Sequence, residues 1–376
     1  MKINRIDLYS VAIPYKTVYK TSNNQTKAGK HIVVEVHTDT GTSGWGETGI
    51  ISQRYPAEGA TMEGMFATLK GYLAPAMLGE NPLEIGKAMR KLDDVLQGNY
   101  FAKCALDHAL YDLTGKAMGI PVSTLLGGKV RSTFRATRSL PLESPQRTAE
   151  IALSLIDKGY ARLTLHAGLN EKEDLLALEA VRRAVGDGVP LEVDANGRYD
   201  RPTALRTVDK MEAFDIEAFE QPVAGPDFQG MSEIAAHSSI PIVADESVFT
   251  IEDAVQVCRL RSADLICLKP FKSGGLYHSK QIETVARAFH IPVSTGSMHP
   301  FGIGTAALHQ FVASLPSVSV SGYGSPAERF VDDIVDESCY SYENGVVTLI
   351  DKPGLGVSVN REKLKKYTID FARVEQ

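Results

Sequence analysis

LEVDANGRYDRPTALRTVDKMEAFDIEAFEQP, residues 191–222, reads as a strand, a helix and a second strand, and the two strands end on carboxylates, Asp194 and Glu220. Its apolar runs are short, as expected where a parallel strand is covered on both faces. The pattern continues outward. IPIVADES (240–247) carries Asp245 at its end, and DLICLKP (264–270) carries Lys269. Three acids and a lysine therefore close successive apolar runs at intervals of 26, 25 and 24 residues. Each interval has room for one strand, one helix and two loops. If each run is a barrel strand, all four groups emerge at one end, where a barrel places its chemistry.

Extended along the chain, the alternation predicts eight strands: 135–139, 162–166, 191–194, 217–220, 241–245, 264–269, 292–295 and 318–321. Eight such units indicate an α/β fold, a (β/α)8-type barrel over residues 129–340. An open doubly wound sheet is the alternative; the even spacing of polar strand ends favours closure. Before the barrel, residues 1–128 read as an α+β capping domain. Alternating strands (3–13, then HIVVEVHTD and SGWGET) precede helical patterns around 56–74, 82–96 and 102–118. In the last of these, Ala105, Leu106, Ala109, Leu110 and Leu113 share a face. The C-terminal segment, 341–376, returns to strand and turn signals and is expected to pack back on the capping domain.

The totals narrow the function classes. A chain of 376 residues, 43% hydrophobic and 23% charged, is ordinary for a soluble enzyme of more than one domain. A net charge of −6 disfavours nucleic acid and anionic membranes as partners. The first residues lack the apolar core of a signal peptide, and no long apolar run suggests a membrane span. The four cysteines, Cys104, Cys258, Cys267 and Cys339, are far apart; Cys104 and Cys267 read as small core residues. A cytoplasmic location fits.

One strand-end acid is usually a helix cap or an ion-pair partner. Three at regular intervals are a different matter, because close carboxylates in a low-dielectric site need a cation to stay ionised. All-oxygen ligation favours Mg2+, with Mn2+ as a substitute. Lys269, at a strand end beside such a cation, is a candidate proton acceptor, since burial and nearby positive charge both favour a neutral amine. Lys272, three residues on, reads as solvated.

These motifs carry a resemblance. DANG (194–197), EQP (220–222), ADES (244–247) and LKPFKSGG (268–275) resemble the enolase superfamily, in its muconate lactonizing (muconate cycloisomerase) and mandelate racemase-like branch. GWGE (44–47) and AKCALDHALYDLTGK (102–116) resemble that family's capping domain, and GSM (296–298) its seventh strand. The resemblance covers nearly the whole chain. It implies a Mg2+ site on Asp194, Glu220 and Asp245, with Lys269 as an acid/base. It also implies a carboxylate substrate whose α-proton is removed to give an enediolate.

The chain departs from the family at strand two. The usual Lys-x-Lys is replaced by Thr164-Leu165-His166. A lysine there needs a second cation to titrate near neutrality, whereas histidine starts near pH ~6.5. The double change is self-consistent with His166 as a second base, and equally with His166 only orienting substrate. After strand eight, Ser321-Gly322-Tyr323 stands where the family's dipeptide epimerases carry Asp-x-Asp, so an α-amino dipeptide is not expected. His299 follows strand seven and is a candidate substrate contact or second acid. PFGIGTAA (300–307) mimics a dinucleotide fingerprint, but no acidic strand end follows about 20 residues later, and close helix packing is the better reading.

Two polar loops, with Tyr15, Tyr19, Thr21 and Ser22 in one and Ser52, Gln53 and Tyr55 in the other, are expected by resemblance to close over the barrel mouth. Substrate contacts are expected from Tyr15, Tyr19, Thr164, Asn196, Ser297, His299 and Tyr323. The sequence thus predicts Mg2+-dependent α-proton abstraction from a small-molecule carboxylate, with an isomerase outcome, in a homo-oligomer. Dehydration of a β-hydroxy or sugar acid, with His166 or His299 protonating the leaving hydroxyl, is the same-class alternative. A non-catalytic carboxylate-binding barrel is the alternative from another class.

Overall fold

The computed structural model describes every residue except 21–24, 51–59, 319 and 376, together with the backbone alone at 19, 20, 25 and 320. The N-terminal unit is an antiparallel meander of β1 (Ile3–Lys20), β2 (Gln25–Thr38) and β3 (Ser43–Gly49). One face of this sheet, with Ile6, Leu8, Val34 and Val36, packs on helices; from the other, Val33 and Trp45 join the barrel-side core. The helices are α1 (Met62–Thr68), a π turn (Leu69–Leu73), α2 (Ala74–Met77), α3 (Ile85–Val95), α4 (Tyr100–Met118) and α5 (Val122–Leu125).

Helix α4 starts two residues before the apolar pattern suggests and is buried on every side from Phe101 to Gly115. Beyond the apolar face, it carries Asp107, His108 and Asp112 into the protein interior. The GWG stretch makes that approach possible. A Cβ on Gly46 would lie 1.8 Å from the Ala105 carbonyl oxygen, and one on Gly44 2.3 Å from that of Ala109.

The strand expected at 135–139 is two strands. β4 (Thr133–Ala136) and β5 (Arg138–Leu140) are separated at Thr137, whose N–H donates to the Ser321 carbonyl at 2.8 Å. From β5 the chain alternates through α6 (Pro145–Asp157), β6 (Leu163–His166), α7 (Glu171–Val185), β7 (Leu191–Asp194), α8 (Arg201–Met211) and β8 (Ala218–Glu220). It continues through α9 (Phe228–His237), β9 (Ile242–Ala244), α10 (Ile251–Leu260), β10 (Leu265–Leu268), α11 (Leu276–Ala288), β11 (Val293–Thr295), α12 (Gly302–Ser314) and β12 (Val320–Ser321). Side chains at the loop–helix junctions start several helices: Asn170 caps α7, Asp200 caps α8, and Thr250 with Asp253 forms a capping box on α10.

Strands β5 to β11 form one parallel sheet in chain order. β12 closes it. It pairs with β4, and Gly322 packs so tightly on β11 that a Cβ there would lie 2.6 Å from the Thr295 carbonyl. This closure excludes the open doubly wound sheet. Among the described residues, β12 is followed by a single 3-10 turn (Pro326–Glu328) rather than an eighth barrel helix.

The remaining chain divides. After β13 (Val335–Glu337), the hairpin β14 (Tyr340–Glu343) and β15 (Val346–Leu349) pairs with β4 at the barrel. After β16 (Ser358–Val359) and α13 (Arg361–Tyr367), β17 (Thr368–Glu375) pairs with β1. None of the described helices is long and apolar enough to cross a membrane.

Buried carboxylates join the N-terminal unit to the barrel at helix N-termini, where unpaired N–H groups attract negative charge. Glu47 of GWGE accepts from the N–H groups of Phe301 (2.6 Å) and Gly304 (2.7 Å) at the start of α12, and His31 Nδ1 lies 2.9 Å away. Asp107 accepts from Leu276 and Tyr277 at the start of α11. The glycines of PFGIGTAA serve this packing: a Cβ on Gly304 would meet Phe271 at 2.6 Å. Replacing Glu47 by alanine strands those buried N–H groups, and a loss of about 3–5 kcal/mol is expected from urea unfolding. An unchanged midpoint would contradict this role.

His309 is buried beneath the hairpin, with Nε2 2.8 Å from the Gly324 carbonyl. Burial pushes its pKa down to about 4 from 6.5, against the pull of that hydrogen bond. The unfolded chain therefore binds the proton first, and stability falls as pH drops through the window from 6.5 to about 4. The His309 contribution is about 3 kcal/mol. His309→Gln should flatten the urea midpoint against pH in that window; an unaltered slope would refute the assignment.

Candidate active site

The strand ends meet as the sequence requires. His166 pairs with Asp194 and Asp194 with Glu220 across β6, β7 and β8, and Asp245 follows β9. Two side chains fix the acids. Asn196, with φ of 47°, donates its N–H to Asp194 Oδ1 and its amide Nδ2 to Oδ2, both at 2.8 Å, and reaches Glu246 Oε1 at 3.3 Å. Gln221 of EQP is fully buried. Its Oε1 accepts from the N–H groups of Asp245 (2.9 Å) and Ser247 (3.1 Å), so it shapes the ADES turn.

Two lysines converge on Asp245. Lys269 Nζ contacts its Oδ2 and lies 3.8 Å from Glu220 Oε1. Lys272 Nζ donates to Oδ1 at 2.7 Å and to the Asp245 carbonyl. The expectation of a solvated Lys272 is wrong: the side chain is fully buried, because the KSGG turn folds it back beneath Asp245. Burial would raise the Asp245 pKa, but Lys269 and Lys272 outweigh it and hold the carboxyl below its usual range. Its neighbours go the other way. Burial, opposed by Lys269 and reinforced by Asp245, pushes Asp194 up to about 7. Burial with Cys267 and Asp194 pushes Glu220 well up, and burial with Asp245 and Asp194 does the same to Glu246.

Beneath these groups lie the residues two positions earlier on each strand, which face the same way: Thr164, Glu192, Ala218, Val243 and Cys267. Ala218, Val243 and Cys267 form a small apolar cluster. Donor atoms of Glu220, Asp245 and Cys267 lie within 4.8 Å of one another, a group that does not include Asp194. Four carboxyls against two ammoniums, with oxygen donors on adjacent strands, is a donor set that fits a hard divalent cation.

Across from Lys269 stands His166. Its Nδ1 is 3.7 Å from Asp194 Oδ2. Burial and then the charge of Lys269 push its pKa down to about 4, against a hydrogen bond to Asn196 that favours the protonated ring. The imidazole is therefore neutral at neutral pH and close enough to feel the lysine. Thr164 sits one layer lower, in register with Ser139 and Glu192.

His299 is buried rather than on a loop surface. Its ring stacks on Tyr323 at 6.0 Å and meets the edge of Tyr15 at 6.4 Å; Tyr15 in turn stacks on Phe330 at 4.7 Å. The Arg329 guanidinium lies 5.7 Å from the Tyr323 ring centre. Burial, then Arg329 and Arg138, hold His299 well below the usual histidine range. Ser297 Oγ accepts from the His299 N–H at 3.5 Å and, with Met298, lines a cavity beside Lys269. Tyr19, Thr21, Ser22, Ser52, Gln53 and Tyr55 lie outside the described side chains. Sequence reading passed over Gln221, Glu246, Cys267, Arg138 and Arg329. Strand alternation signals Cys267, two residues before Lys269, but nothing in the pattern marks Arg329 after the last barrel strand or singles out Arg138 within β5.

Two family models match the chain: the mandelate racemase/muconate lactonizing enzyme N-terminal domain over residues 5–127, and an enolase C-terminal domain-like model over 147–363. The chain is 31% identical to an N-succinyl-L-Arg/Lys racemase of Bacillus cereus, covering 98% of both chains. It is 30% identical to muconate cycloisomerase 1 of Rhodococcus opacus, over 98% of this chain and 99% of that one. The crystal structure of the Bacillus cereus racemase superposes with a TM-score of 0.96 over the full length of both chains, at 30% identity.

Removing one partner of a buried ion pair leaves an uncompensated charge. Lys272→Met is accordingly expected to cost about 3–5 kcal/mol in urea unfolding without added cation. A variant as stable as the parent would mean that Lys272 does not hold Asp245.

Proposed function

The chain belongs to the mandelate racemase/muconate lactonizing enzyme family of the enolase superfamily, and from that premise we propose that it isomerises a carboxylate substrate by removing and returning its α-proton. The observation that carries the reading is the pair of proton-bearing groups on either side of one acidic cage. Lys269 Nζ lies against Asp245 and Glu220, while His166, four strands away in the sheet, borders Asp194.

A divalent cation held by Asp194, Glu220 and Asp245, for which Mg2+ is the best fit, would supply positive charge where the substrate carboxylate gains electron density. The chain's own residues do the rest. Lys269 exchanges a proton at Nζ on one face of the α-carbon. His166, neutral at neutral pH, exchanges one at a ring nitrogen on the other. Loss from one face and return to the opposite face inverts the centre, giving racemisation or epimerisation. Asn196 keeps Asp194 and His166 in position, and the N-terminal unit covers the barrel mouth through Tyr15.

Dehydration has one observation in its favour, since His299 stands near enough to His166 for the two to influence each other. A histidine held neutral by burial and two guanidiniums is a poor acid for a departing hydroxyl, so isomerisation is preferred. The absence of an acidic pair at Ser321 and Tyr323 supports an α-substituent other than a free ammonium.

The test is wash-in of solvent deuterium at the α-carbon of N-acylated amino acids and related carboxylates, with Mg2+ present. Lys269→Ala should lower exchange of one enantiomer by about 100- to 10,000-fold, and His166→Ala that of the other. Tight binding of carboxylates without exchange would replace this reading by a non-catalytic barrel. Full exchange of both enantiomers in His166→Ala would leave Lys269 as the only base.

A further inference from the structure

We propose that the same cage takes a second class of cation, a thiophilic divalent ion such as Zn2+ or Cd2+, bound through Glu220, Asp245 and the Sγ of Cys267. Two donors at about 2.1 and 2.3 Å from one ion lie within about 4.4 Å of each other. The donor atoms of Glu220, Asp245 and Cys267 already lie within 4.8 Å, so shifts of a few tenths of an ångström would seat the ion. The thiol is inward-facing and buried directly under the lysine. A Cβ on Gly296 would lie 3.0 Å from Cys267 Sγ and 2.2 Å from Lys269 Cε.

A second observation points to a cation at this place. Glu246 Oε2 is buried without a hydrogen-bond partner among the described residues, and its carboxyl feels the charges of Asp245 and Asp194. Cys267 adds nothing to the binding of a hard ion, because thiolate donors select soft and borderline metals. With Zn2+ or Cd2+ the S–H bond breaks, an S–metal bond forms, and the proton leaves to solvent. The ion takes the place of the Lys269 ammonium beside Asp245. Thiophilic and hard cations therefore compete for Glu220 and Asp245, and the thiophilic ion holds the site with Lys269 displaced.

The experiment is a Cd2+ titration of the full-length protein, followed by the ultraviolet thiolate-to-cadmium charge-transfer band. One equivalent is expected to saturate the band, and excess Mg2+ to weaken the apparent affinity. Cys267→Ser should abolish the band, while Cys104→Ser, Cys258→Ser and Cys339→Ser retain it. Glu220→Gln should weaken Cd2+ binding by about 10- to 100-fold. A full-amplitude band in Cys267→Ser, or indifference to Glu220→Gln and to Mg2+, would overturn the proposal. Anomalous scattering from Cd2+-soaked crystals of the unaltered protein decides the matter without a variant. A peak between Glu220, Asp245 and Cys267 supports it, and one elsewhere refutes it. The deuterium experiment uses Mg2+ alone, so either reading can fail without the other.

Discussion

Four carboxyls, those of Asp194, Glu220, Asp245 and Glu246, are crowded and buried at the ends of three neighbouring strands. Two unit charges ~5 Å apart repel by about 3 kcal/mol at an effective dielectric near 20. Several such pairs approach the whole stability of a domain. The chain answers with two ammoniums placed on one acid. Asp245, held by Lys269 and Lys272, keeps its charge, and the others are pushed toward protonation. A divalent cation among them would reverse that balance, because each acid it ionised would become an attractive partner. The charge state of the cage would then follow its occupant, while Asn196 and Gln221 hydrogen-bond the Asp194 carboxylate and the Asp245 backbone.

The same physics is used a second time, away from the site. Glu47 and Asp107 are buried acids with no lysine partner among the described residues, and each sits at a helix N-terminus where backbone N–H groups oppose the cost of burial. These contacts fasten β3 and α4 to the helices that follow the sixth and seventh barrel strands. Tyr15 of β1 packs against Phe330 and His299, so the surroundings of His299 are built jointly by the N-terminal unit and the barrel.

Much of this was legible because strand-end positions are set by a simple repeat. Asp194, Glu220, Asp245 and Lys269 are found by counting, and His166 by register with them. GWGE and the helix after it were legible as motifs, although their purpose was not. That Gly46 exists to admit the Ala105 carbonyl depends on a contact between distant segments. Lys272 was misread because a lysine next to glycines ordinarily reaches solvent, and only the fold shows the turn carrying it under Asp245. Thr137 gave no sign of breaking a strand; the break follows from the competing claim of the hairpin on β4. Arg329 lies in a segment without periodicity and Arg138 in a predicted strand that gives no sign of a site, and their convergence on His299 is a tertiary fact.

Placing histidine rather than lysine at the end of β6 removes a permanent charge from beside Asp194. Positive charge is restored nearby by arginine, which does not lose its proton under physiological conditions. The result is a division between two walls. On one side Lys269 and Lys272 compensate the acids directly. On the other, burial keeps His166 and His299 neutral, aided by the charge of Lys269 at His166 and by guanidiniums at His299, which separates the proposed proton acceptor from the lysines that balance the acids. A lysine pair would make each group serve both purposes, and its basicity would follow the charge of the cage. With His166 in the proposed role of proton acceptor, burial is the first influence on its basicity and the charge of Lys269 the second.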